Sequence, residues 1–273
     1  MTQAQIEELN ERARNMRGHI LKMLAAAKSG HPGGSLSAVD LLAYLYFHKM
    51  KIDPKNPKLS DRDRFILSKG HAGPVLYSAL AERGYFDKDL ICTLRQFNSI
   101  LQGHPDMKKT PGVEISSGSL GQGLSVGNGI AIAGKLDQKP YRVYVLIGDG
   151  ESEEGQIWEA AMTSVHYKLD NLTAFLDYNH LQIDGKIEDV KSFSDPAARF
   201  GAFGWHVIEV DGHSFIELDK AVTEAENTKG KPTMVVMHTI KGKGISFMEN
   251  QPGWHGKAPS AEEAEQALKE LGL

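Results

Sequence analysis

A single cysteine, Cys92, stands among the 273 residues, so no internal disulfide can form and a reducing compartment suits the chain. No apolar run reaches the roughly 18 residues that a membrane-spanning helix requires. The opening segment, Met1 to Arg17, is polar and helix-forming and lacks the apolar centre of a secretory signal, so a cytoplasmic location is expected. Neither sign of charge dominates: 31 Lys and Arg stand against 35 Asp and Glu, giving a net charge of −4 with both signs interspersed. Such a balance offers no electrostatic grip on nucleic acid or anionic lipid, and neither is expected as a partner. Internal repeats, low-complexity tracts and a convincing linker are absent too, so residues 1–273 read as one domain. A chain of this length buries roughly 75% of its unfolded surface, enough for a core without staples.

Glycine is what the chain has in quantity, 28 residues, and they cluster. They gather at His31 to Gly34, Lys69 to Gly73, Gly118 to Gly129, Gly148 to Gly155 and Lys241 to Gly244. Backbone that turns tightly or approaches a ligand closely needs residues without a Cβ. Several such loops together suggest a cofactor site built from loop tips.

Between the loops the pattern alternates. Ile6, Leu9, Ala13, Met16, Ile20 and Leu24 recur at steps of three and four, which predicts an opening amphipathic helix ending before Ser29. Ser37 is placed to cap a helix carrying Val39, Leu42, Leu45 and Tyr46. Residues 53–64 read as a surface loop. Strands are expected at 65–68, 142–147, 172–176, 206–210 and 234–238, with helices after Gly73, over 154–167 and over 215–227. Ser260 with Glu263 forms a capping box for a terminal helix. Apolar strands alternating with helices predict an α/β, doubly wound, mostly parallel sheet with helices on both faces. Ligands in such folds sit outside the carboxyl ends of the strands.

Gly148-Asp149-Gly150 falls at that edge. An Asp at the tip of a buried strand offers a carboxylate, and the following helix would turn its positive end toward the same place. Taken alone, Asp-Gly is also an ordinary turn. Asn179 lies about thirty residues downstream, at the end of the next strand, a distance that one βα unit spans. Asp149, the Asn179 amide oxygen and a backbone carbonyl near Leu181 would give a hard cation such as Mg²⁺ three oxygen ligands.

Gly-Asp-Gly followed at this spacing by Asn resembles the signature of thiamine-diphosphate enzymes. Here Tyr178-Asn179 stands where many members carry Asn-Asn or Asp-Asn. Further motifs resemble the N-terminal half of transketolase: SGHPGGSLS (29–37), LSKGHAG (67–73), QGHPD (102–106), SSGSLGQGLSVGNGIA (116–131) and WHGKAP (254–259). They match in order and approximate spacing along almost the whole chain.

The resemblance implies thiamine diphosphate with Mg²⁺, Ca²⁺ or Mn²⁺, and sugar phosphates as substrates. It implies roles for four of the eleven histidines, each set against glycine. His31 and His255 would handle protons at the donor sugar's C3 hydroxyl, and His104 would hold its C1 hydroxyl. His71 and the Gly148–Gly150 backbone would contact the diphosphate, with His255 also beside the cofactor. Gly118 and Leu120 would lie against the aminopyrimidine. Glu154 and Glu159 match carboxylates that link two cofactor sites across a subunit interface. The other histidines, His166, His180 and His238 among them, read as structural, and His213, in Asp211-Gly212-His213, as a loop histidine. A base is needed because the C3 hydroxyl loses its proton as the C2–C3 bond breaks, and imidazoles titrate in the right range.

Nothing in the chain matches the glutamate that activates the aminopyrimidine in the family, nor the residues that grip the sugar phosphate. A separate C-terminal transketolase subunit is therefore expected to supply both, in an α₂β₂ assembly. Three other readings compete. GQIWEA also resembles the α subunit of 2-oxoacid dehydrogenases; the donor could be an unusual, sulfonated or branched sugar; or the chain could be a non-catalytic cofactor-binding regulatory subunit.

Overall fold

The computed structural model describes residues 1–183, 185–191 and 195–273. Helix α1 runs over Gln3–Ala27, with Thr2 and Gln5 closing a capping box at its start. Two short buried helices follow, α2 (Pro32–Ser37) and α3 (Val39–Tyr44). Strand β1 (Arg64–Leu67) leads to α4 (Gly73–Arg83), and α5 (Gln122–Leu136) precedes β2 (Val143–Gly148). Helix α6 (Gly155–His166) connects to β3 (Leu172–Tyr178). A two-residue hairpin, β4 (Leu181–Gln182) with β5 (Gly185–Lys186), leads into α7 (Ile187–Val190) and α8 (Pro196–Ala202). The chain then passes through β6 (His206–Asp211), α9 (Phe215–Asn227), β7 (Thr233–His238) and α10 (Ala261–Glu270).

Five strands form one sheet in the order β1-β2-β3-β7-β6, and every pairing is parallel. Strand residues alternate between two cores. Phe65, Leu67, Tyr144, Leu146, Phe175, Val235 and Met237 face α1, α3, α4 and α9. Ile66, Val143, Val145, Ile147, Leu172, Ala174, Leu176, Met234 and Val236 face α5, α6 and α8. Cover on both sides is why the central strands read as nearly continuous apolar runs.

The crossover from β2 to β3 packs α6 on one face; that from β6 to β7 packs α9 on the other and steps across the sheet in the opposite direction. The two windings meet between β3 and β7, and the crevice at the carboxyl ends of those strands is where this architecture takes ligands.

One local expectation is corrected. Ser37 does not cap a helix: it ends α2, and its hydroxyl donates to Asp177 Oδ2 at 2.6 Å, while Ala38 precedes α3 without a side-chain cap. The helix expected over 154–167 is α6, with Glu154 at its N-cap and Tyr167 at its C-cap. A 3₁₀ turn over Gly150–Glu153 joins Asp149 to its N-terminal end.

Glycine permits the closest helix–strand approach. A Cβ on Gly123 in α5 would lie 2.3 Å from Ser68 Oγ and 2.8 Å from the Ser68 Cα. Overpacking of this kind costs about 1–3 kcal/mol, so Gly123→Ala is expected to lower the melting temperature by a few degrees. An unchanged melting temperature in calorimetry would show that the contact yields easily.

Candidate active site

The loops that follow β1, β2, β3 and β7 open onto a cleft of about 580 Å³. Of the residues singled out in the sequence, His31, His71, Gly118, Leu120, Gly148, Asp149, Gly150, Glu154, Asn179, Leu181 and His255 line it. His104 stands at its rim, where a Cβ on Gly118 would lie 3.3 Å from the imidazole. Glu159 is exposed on α6 and does not line the cleft.

Asp149, Asn179 and Leu181 converge in the cleft. The Asn179 backbone N–H donates to Asp149 Oδ2 at 3.1 Å, and the Leu181 backbone N–H donates to Asn179 Oδ1 at 3.2 Å. Asp149 Oδ1 accepts from the Gly150 N–H at 2.8 Å. Asp149 is 4% exposed, and burial, then the neighbouring Asp177 carboxylate, pushes its carboxyl up to about 7. A buried carboxylate under that strain gains from a cation, and a carboxylate with an amide and a main-chain oxygen is a donor set for a hard one. The set holds one acidic side chain, in keeping with the absence of any cluster of three His, Cys, Asp or Glu metal ligands among the described residues.

Joined to that set through the Lys241 ammonium, His31, His71 and His255 form a triangle with ring centroids 5.2–5.4 Å apart. Burial, then the Lys69 ammonium, holds His71 down to about 2; burial, then Lys241, holds His255 at about 4. His31 is lowered by burial and then Arg95, as is His104. All four rings are therefore neutral near pH 7. His31 Nδ1 is buried without a partner. His255 Nδ1 accepts from the Lys241 ammonium at 3.1 Å, so its Nε2 carries the proton.

Since His71 resists protonation in the fold but takes a proton near its ordinary 6.5 when unfolded, the unfolded state binds more protons as pH falls below that value. Stability is lost in that direction. Replacing His71 by Gln is expected to flatten the decline in denaturation midpoint between pH 7 and pH 4; parallel profiles for the two proteins would contradict the assignment.

Four buried charged groups were not found from the sequence. Lys69, 2% exposed, forms a short ion pair with Asp177 and donates to the Gly34 carbonyl at 2.8 Å. Asp177 also accepts from Ser37 and, in a short bond, from Thr239. Lys241, also 2% exposed, donates to the Leu181 carbonyl at 3.1 Å and to His255. Its partners are neutral, and burial brings its ammonium down to about 8. Glu151 ties three loops, accepting from the Gly121 N–H at 2.9 Å, the Gly148 N–H at 3.0 Å and, in a short bond, the Ser68 hydroxyl. The one visible signal was Asp177 itself, a charge inside the apolar run LTAFLDY that a buried strand tolerates only when paired.

Backbone approach completes the cradle. A Cβ on Gly70 would lie 2.7 Å from the Gly118 nitrogen, so the Lys69 and Gly118 loops touch through their main chains.

Residues 10–273 match the family described as transketolase, thiamine diphosphate binding domain. The 6-deoxy-6-sulfo-D-fructose transketolase subunit SqwG of Clostridium sp. (strain MSTE9) is 46% identical, over 99% of this chain and 98% of that protein. One subunit of the apulose-4-phosphate transketolase of Phocaeicola vulgatus is 43% identical, over 98% of this chain and 95% of its own length. Human transketolase is 42% identical over 98% of this chain, which spans 43% of the human protein. The crystal structure of transketolase from Campylobacter jejuni superposes with a TM-score of 0.92 at 33% identity, covering 100% of this chain and 43% of that one. The chain thus belongs to the transketolase family and corresponds to its thiamine diphosphate-binding domain.

Proposed function

We propose that this chain is the cofactor-holding subunit of a transketolase, moving a two-carbon ketol unit from a ketose to an aldose phosphate together with a separate C-terminal subunit. The observation that carries the reading is the meeting, in one cleft, of three neutral histidines with the Asp149, Asn179 and Leu181 oxygens. A protein that only bound cofactor would need the oxygens but not the histidines. The whole chain, 1–273, acts as one domain in this reading.

Thiamine diphosphate, when bound, supplies the nucleophilic carbon and the electron sink for cleaving the ketose C2–C3 bond. Asp149, Asn179 and the Leu181 carbonyl would hold Mg²⁺, or Ca²⁺ or Mn²⁺ in its place. His71, the Gly150 backbone and the Lys241 ammonium would meet the diphosphate, while Gly118 and Leu120 flank its ring. His31, neutral and packed against His71 and His255, would take the C3 hydroxyl proton. His255, whose Nδ1 is occupied by Lys241, presents Nε2–H as a donor beside it. His104 at the rim would hold the C1 hydroxyl. Glu154, exposed at the start of α6, and Glu159 on the same helix face outward, where a neighbouring protomer would reach them.

An α₂β₂ heterotetramer is the arrangement this reading favours, in the cytoplasm; among the described residues no helix is long and apolar enough to cross a membrane. Two of the relatives just named are transketolases of 6-deoxy-6-sulfo-D-fructose and of apulose 4-phosphate, which supports widening the donors beyond xylulose 5-phosphate.

To test the reading, the tagged chain is drawn from its native lysate with Mg²⁺ and thiamine diphosphate. The eluate is then assayed for ketol transfer to ribose 5-phosphate from xylulose 5-phosphate and from sulfonated and branched ketoses. Transfer from one of these donors is expected. Decarboxylation of a 2-oxoacid without any ketol transfer would replace the reading with the dehydrogenase one.

A further inference from the structure

One histidine that the sequence left as a loop residue is wired to the cleft from behind. His213 follows β6, and its Nε2 accepts the Ile240 backbone N–H at 2.9 Å. A nitrogen that accepts carries no proton, so the proton is on Nδ1, which lies 2.7 Å from Asp40 Oδ2 and donates to it. Asp40, 6% exposed on α3, also receives Arg17 Nη2 at 2.7 Å. Arg17 Nε in turn donates to the Lys243 carbonyl at 3.0 Å. The 239–244 loop is thereby gripped at two points, one on either side of Lys241.

Close backbone contacts make the grip tight. A Cβ on Gly212, next to His213, would lie 2.5 Å from Thr239 Cγ2. Gly244, at φ +94°, lies against Arg17, whose Nε would be 2.8 Å from a Cβ there. On the cleft side the Gly242 N–H donates to the Gly33 carbonyl at 3.0 Å, joining this loop to the one that carries His31. Burial raises the Asp40 carboxyl, but Arg17 and the bond from His213 outweigh that and hold it below the usual carboxylate range, so the anchor is charged near neutrality.

We propose that His213, fixed as its Nδ1–H tautomer by Asp40, is a positioning residue for the cleft: it latches the 239–244 loop so that the Lys241 ammonium is held against the Leu181 carbonyl and His255. None of His213, Asp40 and Arg17 lines the cleft, so their action on it runs through the loop. The consequence for cofactor binding rests on the role proposed above for Lys241; the latch itself does not, and it is tested without cofactor or partner.

The full-length chain is pulsed with acetic anhydride, and acylation of Lys241 is read by mass spectrometry against Lys69, a second buried lysine outside the latch. His213→Phe keeps a ring but removes the acceptor. It is expected to raise Lys241 acylation about tenfold, the scale of one lost hydrogen bond to a buried amide, with Lys69 unchanged. His213→Gln, whose Oε1 can accept from Ile240, is expected to restore most of the protection. Hydrogen exchange over 239–244 should follow the same order. Three outcomes would each overturn the proposal: unchanged Lys241 acylation in His213→Phe, an equal rise at Lys69, or a Gln variant as exposed as the Phe variant. Mg²⁺-dependent thiamine diphosphate affinity of the same variants is measured separately; a normal affinity with an exposed Lys241 would remove the proposed role of Lys241 and leave the latch standing.

Discussion

Replacing Asp149 by alanine is expected to abolish Mg²⁺-dependent binding of thiamine diphosphate, weakening it by more than the roughly 10–100-fold that loss of an outer hydrogen-bond partner of a metal ligand costs. The carboxylate is the one charged group among the three oxygens that converge there, and its burial at 4% exposure makes it hard to replace from solvent. The fold itself should survive. Asp149's carboxyl is raised in the folded state to about 7, from an ordinary 3.8, so the folded chain binds this proton more tightly than the unfolded one. Its contribution to stability is present below pH 3.8 and is lost as pH rises through 7. Alanine removes that liability, and the variant without cofactor should melt no lower than the wild type at pH 8. Calorimetric titration with thiamine diphosphate, with and without Mg²⁺, reads the first effect. Normal Mg²⁺-dependent binding by the variant would sink the metal assignment.

His104→Ala is expected to do the reverse. Cofactor affinity should stay within a factor of about two, while turnover in the assembled enzyme falls by roughly a hundredfold or more, the range for losing a positioned acid–base or hydrogen-bonding group. The reason is placement. His104 sits beside Gly118 and is not among the groups bonded to Asp149, Asn179 or Leu181, and burial with Arg95 keeps it neutral. A substrate hydroxyl is the group it can reach. Steady-state kinetics beside a binding titration separates the two effects. Unchanged turnover would count against a catalytic role, and a parallel loss of cofactor affinity would make His104 part of the cofactor cradle instead.

The architecture was legible because its physics is local. Strands covered on both faces must be largely apolar, and VYVLI (143–147) and LTAFL (172–176) are, Thr173 apart. The helix expected over 215–227 is α9 to the residue, and the structure caps it with Ser214. The loops were legible because close backbone approach demands glycine, as where Gly70 meets Gly118. Asp149, Asn179 and the histidines were legible only as a set of motifs in order, not as single residues.

The charged floor of the cleft was not legible, for the opposite reason. Lys69 and Asp177 are 108 positions apart, and no periodicity ties them together. Lys241 reads as an ordinary cation in a glycine-rich loop until its burial is seen. Ser37 fits the composition of a helix cap, and only the fold shows that its hydroxyl is spent on Asp177. His213 is the plainest case: Asp-Gly-His reads as a turn, and its partners Asp40 and Ile240 come from distant segments. Local preference shows which elements form; tertiary pairing decides which buried polar groups are satisfied, and by what.

The central claim, that this chain holds the cofactor while another polypeptide completes the enzyme, is tested most directly by assaying ketol transfer with the purified chain alone and again with its co-purified partner, at saturating Mg²⁺ and thiamine diphosphate. The account predicts no transfer from the chain alone and full transfer on adding the partner. Transfer from the chain alone at the rate of the pair would contradict it.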